Sequence, residues 1–113
     1  MKIYHNPRCR KSREAIQYLT EKEVLFEIVE YMKEGISENK MKLLLNKLNI
    51  SALQLTRKNE KIWKEKFKEK KLNEGQIINI LCSEPKLMER PIIESKKRAV
   101  IGRSKENIDK ILQ

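Results

Sequence analysis

The sequence predicts an α/β domain, a mixed four-stranded sheet covered by helices. Three observations carry this expectation. The first thirty residues read as strand, helix and strand. The middle of the chain holds helical stripes only. The end supplies two short β-branched segments and a last helix. At 113 residues and 13.5 kDa the chain has the length of one domain, and its 39% hydrophobic residues can fill one modest core. No internal repeat and no linker interrupts the pattern, so residues 1–113 are expected to form a single domain.

Each element has its own signal. Lys2-Ile3-Tyr4 is a short strand stopped by the turn His5-Asn6-Pro7. A helix is expected from about Arg10 to Glu21, with Ala15, Ile16 and Leu19 on its inner face. Val24 to Val29 reads as a second strand. A strand–helix–strand unit of this length joins two parallel strands by a right-handed crossover. Gly35 then breaks the chain, and Ser37 is a good N-cap, with Ile36 and Met41 placed as a hydrophobic staple. Met41, Leu44, Leu45 and Leu48 make one helix face. Ser51 caps a short helix through Leu55, and Ile77, Ile78 and Leu81 stripe another between Asn73 and Cys82, ahead of Pro85. Pro91 to Glu94 and Arg98 to Ile101 are strand candidates, and Ser104 caps a helix carrying Ile108, Ile111 and Leu112.

Composition excludes several classes. No apolar run approaches the roughly 18 residues of a membrane span. The N-terminus has no apolar core of a secretory signal, so a cytoplasmic location is expected. One His and two Cys do not make a zinc cluster, and no metal is expected. The 26 Lys+Arg exceed the 16 Asp+Glu, a net charge of +10. Nucleic-acid binding is nonetheless disfavoured. In the densest stretch, Lys58 to Lys71, three Glu interleave with seven Lys, the pattern of a solvated helical face. Trp63 and Phe67, four apart, fit that helix's apolar stripe better than a base-stacking pair.

The chemistry points to Cys9. It stands between a strand and a helix, so its sulfur meets the positive end of the helix dipole and free backbone N–H groups. Arg8, Arg10, Lys11 and Arg13 surround it, and the Ser12 hydroxyl, one turn on, is expected to donate to the sulfur. Cys82 ends an apolar stripe without flanking cations and reads as core filler. His5 either hydrogen-bonds near the Cys9 loop or merely ends the first strand. Pro91 opens a strand after Arg90, where a cis bond would be compatible with a nearby Cys loop. If residues 95 and 98 pair in a hairpin, paired positions sum to 193 and Arg90 falls opposite Arg103; taken alone the two read as surface arginines, and as a pair of guanidinium forks they would suit one tetrahedral oxyanion.

The string Ile3-Tyr4-His5-Asn6-Pro7-Arg8-Cys9-Arg10-Lys11-Ser12-Arg13 resembles the N-terminal signature of the glutaredoxin-dependent arsenate reductase (ArsC) family. The likeness continues in Leu55-Thr56-Arg57-Lys58-Asn59-Glu60, Glu89-Arg90-Pro91-Ile92-Ile93 and Val100-Ile101-Gly102-Arg103. The resemblance implies a thioredoxin-like fold with helices on both faces of the sheet and a helical insertion at about residues 36–83. It implies that Cys9 is the nucleophile, that Arg57, Arg90 and Arg103 bind the oxyanion, and that Pro91 is the structural cis-proline. Ser12 and Arg13 are expected to stabilise the thiolate. The implied reaction is arsenate to arsenite, with no bound cofactor, glutathione as co-substrate and glutaredoxin as partner. The alternative is an Spx-like regulatory or binding module on the same fold. Those regulators carry Cys-x-x-Cys here, and Ser12 in place of the second Cys favours the enzyme.

Overall fold

The computed structural model describes residues 1–113. In chain order the elements are β1 (Lys2–Tyr4), α1 (Arg10–Glu21), β2 (Glu27–Val29), α2 (Tyr31–Glu34), α3 (Glu38–Leu48), α4 (Ala52–Leu55), α5 (Lys61–Lys66), α6 (Glu74–Ser83), a 3₁₀ turn (Pro85–Leu87), β3 (Ile92–Glu94), β4 (Ala99–Ile101) and α7 (Lys105–Leu112). The four strands make one mixed sheet, as the sequence predicts, and their order is β2-β1-β3-β4. β1 runs parallel to β2 and antiparallel to β3, and β3 pairs antiparallel with β4. No helix is long and apolar enough to cross a membrane. The chain divides into two compact units, residues 1–35 with 90–113, and residues 36–89.

The first unit holds the sheet. Ile3 and Ile93 lie opposite each other in the β1–β3 pair and point to the same face, because side chains alternate along a strand. Ala15 and Leu19 of α1 and Ile108 and Ile111 of α7 close over them in a buried cluster. α1 has the bounds its sequence predicts, and Ile16 packs partly buried against that cluster. On the other face Tyr4 and Glu94 are also buried, and the Tyr4 hydroxyl donates to Glu94 Oε1 at 2.8 Å. Burial, then this bond to a carboxylate, pushes the Tyr4 phenol far above its ordinary range.

Two expectations are corrected here. β2 starts at Glu27, not at Val24. Val24 donates its N–H to Leu19 O in the turn that ends α1, Glu23 sits at φ 57°, and Leu25 is 92% exposed. The chain is still turning where the β-branched pattern already suggests a strand. The single turn α2, with buried Tyr31, was not foreseen, since four residues carry no readable period.

The hairpin arithmetic holds. Ile92 pairs with Ile101, Ile93 with Val100 and Glu94 with Ala99, and Ser95 N–H donates to Arg98 O at 2.8 Å. One residue beyond β4, Gly102 is buried, and a Cβ built there would lie 2.8 Å from Ile93 Cδ1 and 3.3 Å from its Cγ1. Ile93 is itself locked in the core, so Gly102→Ala is expected to destabilise the protein by about 1–3 kcal/mol through overpacking. Denaturant midpoints would reveal it. An unchanged midpoint would mean that the Ile93 side chain turns aside without cost.

The second unit is helical. Ser37 caps α3 by accepting from Lys40 N–H, and Ser51 with Gln54 and Asn73 with Gln76 form capping boxes on α4 and α6. Met41, Leu44 and Leu45 of α3, Ala52 and Leu55 of α4, and Ile77, Ile78 and Leu81 of α6 are buried. Trp63 of α5 is buried with its ring centroid 5.7 Å from that of Phe67, so this pair belongs to packing. The seven lysines from Lys58 to Lys71 are all exposed.

Candidate active site

The end of β1 builds the loop that holds Cys9. His5 N–H extends the strand pairing by donating to Val29 O at 2.9 Å. Asn6, buried, then ties the loop together. Its side-chain Oδ1 accepts from Arg8 N–H at 3.0 Å, its carbonyl accepts from Cys9 N–H at 2.9 Å, and its own N–H donates to Ser12 Oγ at 3.0 Å. Cys9 is thereby fixed as the N-cap of α1, extended at φ −92° and ψ 122°, with its carbonyl accepting the first helical bond from Arg13. An N-cap usually offers an oxygen to the first turn. Cys9 makes no side-chain capping bond, so the orphan N–H groups there remain for the charge of a thiolate or of an anion.

The thiol is shifted accordingly. Partial burial pushes it up, but the Ser12 N–H, the Arg90 guanidinium and the Lys11 N–H together outweigh burial and hold it below the ordinary thiol value. Cys82 is the contrast. Burial and then the Glu38 carboxylate both raise it.

Ser12 works differently from expectation. Its hydroxyl does not serve the sulfur. It is buried, accepts from Asn6 N–H and lies 2.7 Å from His5 Nδ1. Burial lowers the His5 pKa, with Glu30 raising it and Arg13 lowering it further. The Ser12 hydroxyl and His5 Nδ1 share one hydrogen bond, and Ser12 reaches Cys9 through its backbone N–H instead. His5 therefore belongs to the site as a support of the loop, a role the sequence left open. Its signal was a strand-end histidine followed by a serine on the next helix's first turn.

Arg13 is likewise redirected. Its Nη1 donates to the Pro7 carbonyl at 2.8 Å, and its charge bears on His5. Arg90 is the guanidinium beside the sulfur. It is half-buried and followed by a cis bond to Pro91, whose carbonyl accepts from Gly102 N–H at 2.8 Å. Arg103 is exposed, and its Nη1 donates to the Arg90 carbonyl at 3.0 Å, so the predicted register does bring residues 90 and 103 together. Arg57 lies in the second unit. There its N–H donates to Leu87 O at 2.6 Å and its Nε is 3.5 Å from Glu60 Oε2. No group of three His, Cys, Asp or Glu side chains could hold a metal ion.

This arrangement can present a thiolate and two guanidinium groups to an anion. Thiolate absorbance followed against pH is expected to give Cys9 a midpoint below the ordinary thiol value. Arg90→Ala should raise it and Arg13→Ala leave it near wild type. Because the pKa is lowered, Cys9 should stay reactive as pH falls until that lower midpoint is crossed. A midpoint at or above the ordinary value would overturn this electrostatic account.

Comparison with known proteins follows the same lines. The ArsC family model matches residues 4–111. The uncharacterized protein YfgD of Escherichia coli K12 is 40% identical over 99% of this chain and 96% of its own length. An arsenate reductase of Neisseria meningitidis is 34% identical over 99% of this chain and 97% of its own. Among solved structures, an arsenate reductase from Vibrio cholerae superposes with a TM-score of 0.89 at 28% identity, covering 96% of this chain and 97% of that one.

Proposed function

Since the chain belongs to the ArsC family, we propose that it reduces arsenate to arsenite, with Cys9 as nucleophile and external thiols as the electron source. The observation that carries this reading is the placement of Cys9 as the N-cap of α1 beside Arg90, whose charge acts to lower the thiol's pKa. Arsenate is a dianion near neutral pH and the attacking sulfur is an anion. The two approach only where cations and backbone N–H groups offset both charges. Arg90 and the first turn of α1 do this at the sulfur. Arg103 adds a second fork, and Arg57 joins the set through the sequence resemblance.

The thiolate displaces one arsenate oxygen, which leaves as water once protonated, and forms a sulfur–arsenic bond. Arsenic(V) then needs two electrons. Two external thiols supply them and leave as a disulfide, with arsenite released and Cys9 restored. Ser12 stands where a second loop cysteine would resolve the intermediate internally. This supports glutathione with glutaredoxin as the reducing system.

The test is arsenate-dependent NADPH consumption with glutathione, glutaredoxin and glutathione reductase, run beside thioredoxin with its reductase. Turnover with the first system supports the reading. Turnover only with thioredoxin would overturn the choice of reductant. No turnover with either would overturn the activity, and steeply salt-dependent binding to DNA or RNA polymerase would then favour a regulatory module.

A further inference from the structure

Arg8, Arg10, Lys11 and Arg13 flank Cys9, and the fold spends these cations unequally. Glu14, one turn into α1, takes two of them, Arg10 Nε at 3.1 Å on Oε1 and Lys11 Nζ at 3.6 Å on Oε2. Arg13 is turned to the Pro7 carbonyl. Arg8 is held by its main chain, through the bond from its N–H to Asn6 Oδ1. Its side chain is exposed and has no acidic partner. The residue that precedes Cys9 thus has a fixed backbone and a solvent-exposed cation with no acidic partner.

We propose that Arg8 is the entry cation of this site, drawing anionic reactants to Cys9, and that Glu14 restrains this attraction by offsetting part of the charge of Arg10 and Lys11. The proposal rests on the reading of Cys9 as a nucleophile toward an oxyanion. Arg90 and the Cys9 thiolate largely cancel each other at a distance, so their pair does little for an anion still in solvent. An unpaired rim charge acts over about one Debye length, roughly 8 Å at physiological salt. It raises the rate of encounter rather than the strength of final contact. Arg8 is therefore a positioning residue, acting before any bond to arsenic forms.

Alkylation tests this without arsenate. In Cys82→Ser protein, the Cys9 thiolate displaces iodide from iodoacetate, an anion, or from iodoacetamide, its neutral counterpart. The ratio of the two rates cancels thiolate fraction and simple access. At low ionic strength Arg8→Ala is expected to lower the iodoacetate-to-iodoacetamide ratio about two- to fivefold. Arg8→Glu should lower it further, and Glu14→Gln should raise it. In 1 M salt, where the Debye length is about 3 Å, all four proteins should converge. A ratio unchanged by Arg8→Ala at low salt overturns the role of Arg8, even if arsenate turnover is intact. A ratio that Glu14→Gln fails to raise overturns the restraint. An Arg8-dependent ratio in a protein without arsenate turnover would support the entry cation and overturn the substrate reading alone.

Discussion

Cys9→Ser is expected to bring arsenate reduction down to the uncatalysed level, while Cys82→Ser stays within about twofold of wild type. Burial raises both thiols, and the groups around each act in opposite directions. Cys9 caps α1, and the Ser12 and Lys11 N–H groups and Arg90 overcome the cost of its burial. Cys82, near the end of α6, is raised first by burial and then by Glu38, so it is held as the weakly nucleophilic thiol. A serine hydroxyl at position 9 would remain protonated near neutral pH and could not carry the redox step, because oxygen does not exchange with thiols as sulfur does. Steady-state turnover and a single-turnover arsenite assay measure both variants. Full activity in Cys9→Ser would falsify the assignment of the nucleophile. A large loss in Cys82→Ser would mean that the second thiol takes part in resolving the intermediate.

What could be read from the chain depends on the range of the interaction involved. α1 was legible because Ala15, Ile16 and Leu19 repeat at helical spacing against a clear start at the Cys9 loop. The β3–β4 register was legible because a hairpin is local. Once Ser95 and Arg98 close the turn, every other pair follows, including the approach of Arg103 to Arg90. β2 was over-read by three residues, because β-branched content marks a propensity and not the point where the α1 turn finishes.

The site was legible in its nucleophile and less so in its wiring. Cationic residues around Cys9 were visible as charges, but which of them reaches the sulfur is decided by tertiary placement. Arg13 and the Ser12 hydroxyl, both close in sequence, turn to Pro7, Asn6 and His5. Arg90, eighty-one positions away, is brought beside the thiol. The role of Glu14 in pairing with Arg10 and Lys11 follows helical spacing of three and four residues and was open to sequence reasoning.

Arg90→Ala is expected to cost arsenate turnover on the order of 10²–10³ in kcat/KM, the usual loss when one oxyanion donor is removed. Under the proposed function Arg90 has two separable duties, lowering the Cys9 pKa and compensating the oxyanion that Cys9 would attack. A neutral alkylating reagent applied well above the thiol's midpoint depends on the thiolate alone, so iodoacetamide reactivity there should remain close to wild type in Arg90→Ala. The loss in arsenate turnover should persist at that pH, because a fully ionised Cys9 still meets an uncompensated anion. Arg90→Lys should recover only part of the rate, since an ammonium keeps the charge but not the planar two-pronged donor. Arg103→Ala should act in the same direction and chiefly through KM. Its fork is exposed and anchored on the Arg90 carbonyl rather than on the sulfur. Alanine changes among Lys58 to Lys71, all of them exposed, should leave kcat/KM near wild type. If Arg90→Ala and Arg103→Ala both retain full arsenate turnover, these arginines do not bind the oxyanion. If the lysine variants fail instead, the positive charge that matters lies in the helical unit and not beside the thiolate.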